Sequence, residues 1–247
     1  MFPIRDDNPT LGRSTVTVAI VVLNVLAWVF VQGLGSEAAL ARSVCELGAI
    51  PGALLGRVPG GTSVPLGPGM VCQIADDPHW LTVVTHMFLH GGWFHLVGNL
   101  WFLWVFGDNV EDAMGGARFA LFYLLCGFAA FAAQTLSSPS SAIPMVGASG
   151  AIGGVMGAYA RLYPRAPVHL MVVFFVFVNR TVVPAFLMLG YWFLIQVLGG
   201  IPSLASEAGG VAFWAHVGGF LAGVLLIPAF SKPARVAAHR ALVARGV

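Results

Sequence analysis

The chain has 247 residues, 58% of them hydrophobic and only 9% charged, and its 12 Lys and Arg against 10 Asp and Glu leave a formal charge of +2. Soluble domains carry about a quarter charged residues, so an ordinary water-soluble fold is excluded. Long apolar runs broken by short polar loops point instead to a helical membrane protein.

In chain order, six segments read as membrane helices: about 15–33, 93–110, 117–135, 149–163, 181–199 and 211–231. The expected fold is an all-α, polytopic bundle of six transmembrane helices forming a single domain over residues 1–247. The first segment is expected to remain as a membrane helix and not to be a secretory leader. Its apolar core, Thr15 to Val31, exceeds the usual run of about 7–15 residues, and "ALA" at 39–41 lies well beyond it. If the N-terminus is cytoplasmic, ten of the twelve basic residues lie inside and only Arg42 and Arg57 outside. An even number of spans returns residues 232–247, a basic tail suited to anionic headgroups, to the same side.

Residues 34–92 form a long external loop whose "PGALLGRVPGGTSVPLGPG" is too dense in Gly and Pro for regular structure. A loop of that length beside short ones is functional or packed as a small substructure. It holds Cys45 and Cys72, placed where oxidation is permitted, whereas Cys126 falls inside the third helix. A disulfide between Cys45 and Cys72 would close 26 residues; spacing alone leaves two separate small apolar side chains as the alternative. A further apolar stretch, "HLMVVFFVFVNR" from His169 to Arg180, is too short to span and is expected to lie in the interface or to re-enter. No internal repeat supports a transporter plan.

Polar groups in hydrocarbon are expensive, so function is sought among Asn24, His95, Asn99, Ser149 and His216, with His86 and His90 just outside the second helix. Singly, each has a plain structural explanation, such as a bond to its own helix or to a neighbour. Depth brings four together. At about 1.5 Å per residue, Ser149 stands about 18–24 Å above the basic end of its helix, and His216 about 22–24 Å above Ser231 and Lys232. His95 and Asn99 lie about 20 and 14 Å from Asp108 and, spaced i, i+4, share one helix face. A serine and a histidine in one layer could meet as nucleophile and base. An imidazole N–H and a carboxamide N–H beside them, with the Ser149 backbone N–H, could hold the oxyanion. Gly147 and Gly150 around the serine would let a peptide bond come close.

Other hydrolytic chemistries fit less well. "HMFLH" at 86–90 has the two-histidine spacing of a zinc protease, but Met87 stands where the glutamate base is needed. His86, His90 and His95 could still gather a metal, although "HGG" at 90–92 breaks the helix between them. No acidic residue lies within a spanning helix to form an aspartate pair; Asp108, Glu111 and Asp112 are at the end of the second.

Three motifs together resemble the rhomboid intramembrane serine proteases of bacterial type: "THMFLHGGWFHLVGNL" at 85–100, "GASG" at 147–150 and "AHVGGFLAG" at 215–223. The opening "PIRDDNPT" is also similar to that family. The resemblance implies a nucleophile at Ser149, a general base at His216 in a dyad without a third acid, and oxyanion donors at His95, Asn99 and the Ser149 N–H. It makes His86 and His90 organisers of the first external loop and residues 200–210 the loop capping the site, and it packs the final helix against the fourth through Gly219 and Gly223. Two positions depart from the family pattern. Gly153 stands where many members place an aromatic ring beside the histidine, so something else must hold His216. Trp80-Leu81 lacks the arginine of the usual Trp-Arg pair.

The activity implied is that of an integral inner-membrane endopeptidase, active site opening outward, that cuts transmembrane protein substrates within the lipid bilayer. No cofactor, metal or nucleic-acid partner is expected. Trp192 and Phe193 of the fifth helix are expected to gate a lateral gap toward the second. The alternative is an idle rhomboid-like escort of membrane proteins, which would typically have lost the serine or histidine; both are present here.

Overall fold

The computed structural model describes residues 2–67, 70–174, 177–204 and 210–245. It is mainly helical. Strand β1 (Phe2–Asp6) leads into helix α1 (Thr15–Leu26), which relaxes into a π-turn over Ala27–Val31. The first turn of α1 has no acidic residue of its own. Its orphan donors are met from elsewhere: the Glu111 carboxylate accepts from the backbone N–H of Val16 (3.0 Å) and Thr17 (2.7 Å) and from the Thr17 hydroxyl (2.8 Å). A carboxylate at the far end of another helix thereby fixes where the first one starts.

Residues 34–92 are not irregular. They hold α2 (Glu37–Leu47), α3 (Pro51–Leu54), a hairpin of β2 (Ser63–Gly67) and β3 (Met70–Gln73), and α4 (Thr82–Thr85). Val64, Cys72, Ile74, Ile50 and Ala53 form a small separate core under them. The Gly and Pro density that argued against regular structure supplies the turns between these short elements.

The bundle follows as α5 (Trp93–Met114), α6 (Gly116–Ser137), α7 (Ser149–Leu162), α8 (Ala185–Ser203) and α9 (Phe213–Phe230), with α10 (Pro233–Ala244) in the tail. Helices α6, α8 and α9 are each long and apolar enough to cross a membrane. Helix α5 has 22 residues, its acidic groups confined to the last turns. Helix α7 has only 14, but every residue from Gly150 to Tyr159 is buried, so protein rather than lipid surrounds it. The six expected segments are compatible with this arrangement. Outward faces present large apolar side chains, among them Leu121, Leu187, Leu198 and Leu225, as lipid contact requires.

Small residues set the packing around α7. A Cβ on Gly219 would sit 1.9 Å from the Gly150 carbonyl oxygen, and one on Gly223 1.9 Å from that of Gly154. Helices α7 and α9 therefore touch backbone to backbone, the approach that small-residue faces allow in membranes. Helix α6 closes the third side: a Cβ on Gly150 would meet that of Ala130 at 2.5 Å, and one on Gly218 that of Ala133 at 2.3 Å.

The apolar stretch at 169–180 is built as strands rather than as a helix. Strands β4 (Pro167–Phe174) and β5 (Phe177–Pro184) pair antiparallel, and β1 adds to β4 with Phe2 opposite Met171. Val and Phe dominate this run, residues that suit a pleated surface. The hairpin also moves the start of the fifth helix from the expected 181 to Ala185, directly after Pro184. Near this sheet Asp6 bonds the Tyr159 hydroxyl, and burial pushes its carboxyl up to about 6. Asp7 lies 2.6 Å from His169, which holds its carboxyl below the usual range.

Candidate active site

Ser149 is the first residue of α7, and the turn before it is built from outside the bundle. Met145 and Ala49 exchange backbone hydrogen bonds of 3.0 and 2.8 Å, and the Gly147 N–H donates to the His86 carbonyl at 2.9 Å. Gly147 has φ +132°, and a Cβ there would lie 2.8 Å from His95 Nε2 and 3.4 Å from Ser149 Oγ. Only glycine fits: it lets the chain turn into the helix while a ring and a hydroxyl close on the same spot.

Helix α9 brings His216 to this point. Its Nε2 is 2.7 Å from Ser149 Oγ, across 67 residues of sequence, and the backbone contact through Gly219 holds the two helices at that spacing. On the other side of the ring, Nδ1 is 2.7 Å from Gln196 Oε1. Trp192 covers the ring itself, with centroids 5.8 Å apart and planes inclined by 36°. Its indole also lies beside Gly153, 3.6 Å from where a Cβ would be. The aromatic partner missing at Gly153 thus arrives from α8.

The second helix face is also in position. His95 Nδ1 accepts from the Gly91 N–H at 3.2 Å, which leaves the proton on Nε2, the nitrogen turned toward Gly147. Asn99 is 7% exposed and its Nδ2 is unpartnered in the structure, one turn along the same face. Ser149, His216, His95, Asn99 and Trp192 all line one cavity of about 570 Å³. Gly210, Val211 and Ala212 also line it; of the expected capping loop 200–210, residues 205–209 lie outside those described.

His86 and His90 stay away from the cavity and act through their backbones. Burial pushes His86 down to about 4 and, with His95 beside it, His90 to about 3, so both rings are neutral. Besides holding Gly147, His86 has its Nδ1 3.0 Å from the Thr82 carbonyl. His90 is clamped by Gln32, whose amide donates to its carbonyl and accepts from its N–H, both at 2.8 Å, and its ring packs edge-on against His95 at 5.1 Å. Among the described residues no three His, Cys, Asp or Glu side chains gather as metal ligands would. Asn24 bonds the Ile20 carbonyl of its own helix, far from this site in role.

The sulfur atoms of Cys45 and Cys72 are 1.99 Å apart, with Cα atoms 5.4 Å apart. Trp192 and Phe193 both turn toward Phe220 of α9, at 6.1 and 4.7 Å between ring centroids. Sequence reasoning missed Gln32 and Gln196. Gln196 had a readable signal: it is the one amide in "AFLMLGYWFLIQVLGG" and stands four residues after Trp192, on the same helix face.

Comparison with known proteins bears on the family of the chain. A family model described as the rhomboid domain matches residues 77–233. Rhomboid protein 1, mitochondrial, of Saccharomyces cerevisiae is 31% identical over 172 residues, covering 67% of this chain and 46% of its own length. Rhomboid protease GluP of Bacillus subtilis is 42% identical over 79 residues, 32% of this chain and 15% of its own. Rhomboid-like protein 11, chloroplastic, of Arabidopsis thaliana is 42% identical over 78 residues, 32% of this chain and 28% of its own. The chain thus spans less than half the length of each of these relatives, which come from organelles as well as a bacterium. The family model covers well over half of the 247 residues, including the serine, both oxyanion candidates and the final-helix histidine: the chain is an integral membrane protein of the rhomboid family.

Proposed function

We propose that this protein is an intramembrane serine endopeptidase that cuts transmembrane segments of other membrane proteins near the face carrying residues 34–92. The observation that carries the reading is the 2.7 Å contact between Ser149 Oγ and His216 Nε2 at the wall of a cavity that also holds His95 and Asn99. Nε2 takes the hydroxyl proton as Oγ attacks the scissile carbonyl, and returns it to the leaving amine. The resulting oxyanion is held by the Ser149 N–H at the helix start, by His95 Nε2–H and by Asn99 Nδ2–H. Water then hydrolyses the acyl-enzyme by the same route in reverse roles. Trp192 and Phe193 form part of a lateral wall through which a substrate helix enters, and the excess of basic residues on the opposite side supports a reading with both termini in the cytoplasm.

The test is cleavage of a model transmembrane substrate by the purified chain, with fluorophosphonate labelling alongside. Ser149→Ala and His216→Ala each abolish cleavage, and label appears at Ser149 in the unaltered protein only. Removing one oxyanion donor by Asn99→Ala lowers kcat by about 10²–10³. Full cleavage by either dyad variant refutes the assignment, and a folded wild-type protein that neither cleaves nor labels would make it a binder of membrane proteins instead.

A further inference from the structure

Gln196 is 7% exposed, on an otherwise apolar helix, and both ends of its amide are engaged. Its Nε2 donates to the Trp192 carbonyl at 3.3 Å, a group that can only accept. That orients the amide. Oε1 must then be the atom facing His216 Nδ1 at 2.7 Å, and since a carbonyl oxygen cannot donate, Nδ1 must carry the proton. The neutral ring is thereby held as the Nδ1–H tautomer, with its lone pair on Nε2, aimed at Ser149 Oγ. The flipped amide would set two acceptors against each other at Trp192 and oppose two N–H groups or spoil the base at His216.

We infer that Gln196 is a positioning residue for the reaction: with Trp192 one turn away on the ring face, it sets the tautomer and orientation of His216 and makes a third member of the Ser149–His216 pair. As a neutral acceptor it steadies the imidazolium that forms during attack and cannot take the proton away. The inference rests on the dyad reading above.

Two measurements on the full chain test it. Gln196→Leu keeps the bulk and removes the acceptor; it lowers kcat by about 10–100-fold, the range seen when outer hydrogen-bond partners of histidine ligands are removed. KM stays near the wild-type value, and fluorophosphonate labelling of Ser149 slows in parallel. Gln196→Glu restores an acceptor oxygen and recovers most of kcat. Unimpaired kcat in Gln196→Leu, or equal losses in the Leu and Glu variants, overturns the proposal in favour of a packing role. Independently of any variant's folding, ¹⁵N spectra of histidine-labelled wild-type protein, assigned by difference with His216→Ala, show Nδ1 protonated and Nε2 bare; the reverse tautomer overturns it. Ser149→Ala separates the two readings. If that variant still cleaves, the dyad itself falls, whereas an inactive Ser149→Ala beside a fully active Gln196→Leu removes only Gln196.

Discussion

Adding one methyl group at Gly219 tests whether the α7–α9 contact sets the geometry of the dyad. A Cβ there lies 1.9 Å from the Gly150 carbonyl oxygen and 2.8 Å from its carbon, both backbone atoms that have no rotamer to escape into. Ordinary contact begins near 3.4 Å, so in Gly219→Ala the helices must part by about 1.5 Å. Gly219 is one turn from His216 and Gly150 is next to Ser149, so the separation falls where it stretches the 2.7 Å hydrogen bond to about 4 Å. That is beyond hydrogen-bond reach. Losing the general base removes about 10²–10⁴ in rate, and overpacking destabilises by about 1–3 kcal/mol. The assay pairs substrate cleavage with a thermal melt in the same detergent. Gly190→Ala is the control, since nothing lies within 4 Å of its added Cβ and alanine favours the helix. Gly219→Ala that cleaves within a few-fold of wild type at an unchanged melting temperature would refute the idea that backbone contact sets the dyad distance.

Trp192→Ala lowers kcat because it uncovers the His216 ring, whereas Phe193→Ala, which loses its ring contact with Phe220 and leaves His216 covered, leaves the rate unchanged or raised; equal effects on substrate turnover would argue against distinct roles. Alkylation of freshly prepared, non-reduced protein followed by mass spectrometry leaves Cys45 and Cys72 unmodified, and modification of both would exclude a bridge. If bonded, the 27-residue separation corresponds to about 3–4 kcal/mol of loop-closure stabilisation, read as a drop in melting temperature in Cys72→Ser. Asp6 has its carboxyl raised from 3.8 to about 6 in the folded chain, so its contribution to stability is full below the lower value and lost as pH rises through the upper. The melting temperature of wild type relative to Asp6→Asn therefore falls between about pH 4 and 6 and levels off above that; a flat difference would contradict the burial of that carboxyl.

Local chemistry in the sequence was enough for the bundle and for half of the site. Apolar runs must become helices in a membrane because the backbone has no other partner there, and the i, i+4 spacing of His95 and Asn99 places them on one face wherever the helix packs. The depth of Ser149 and His216 in their helices follows from counting residues. What counting cannot supply is contact between residues distant in sequence. The pairing of β1 with β4 joins positions more than 160 residues apart, which is why the strands over 169–180 were not legible in that apolar run itself. The long loop is tied to the bundle where Ala49 pairs with Met145, a partner nearly a hundred residues away. The support for His216 was hidden for the same reason. Gly153 marked a missing aromatic, but that Trp192 fills the gap, and that Gln196 meets Nδ1, depends on how α8 rotates against α9, and side-chain fit between two helices is decided only when both have packed.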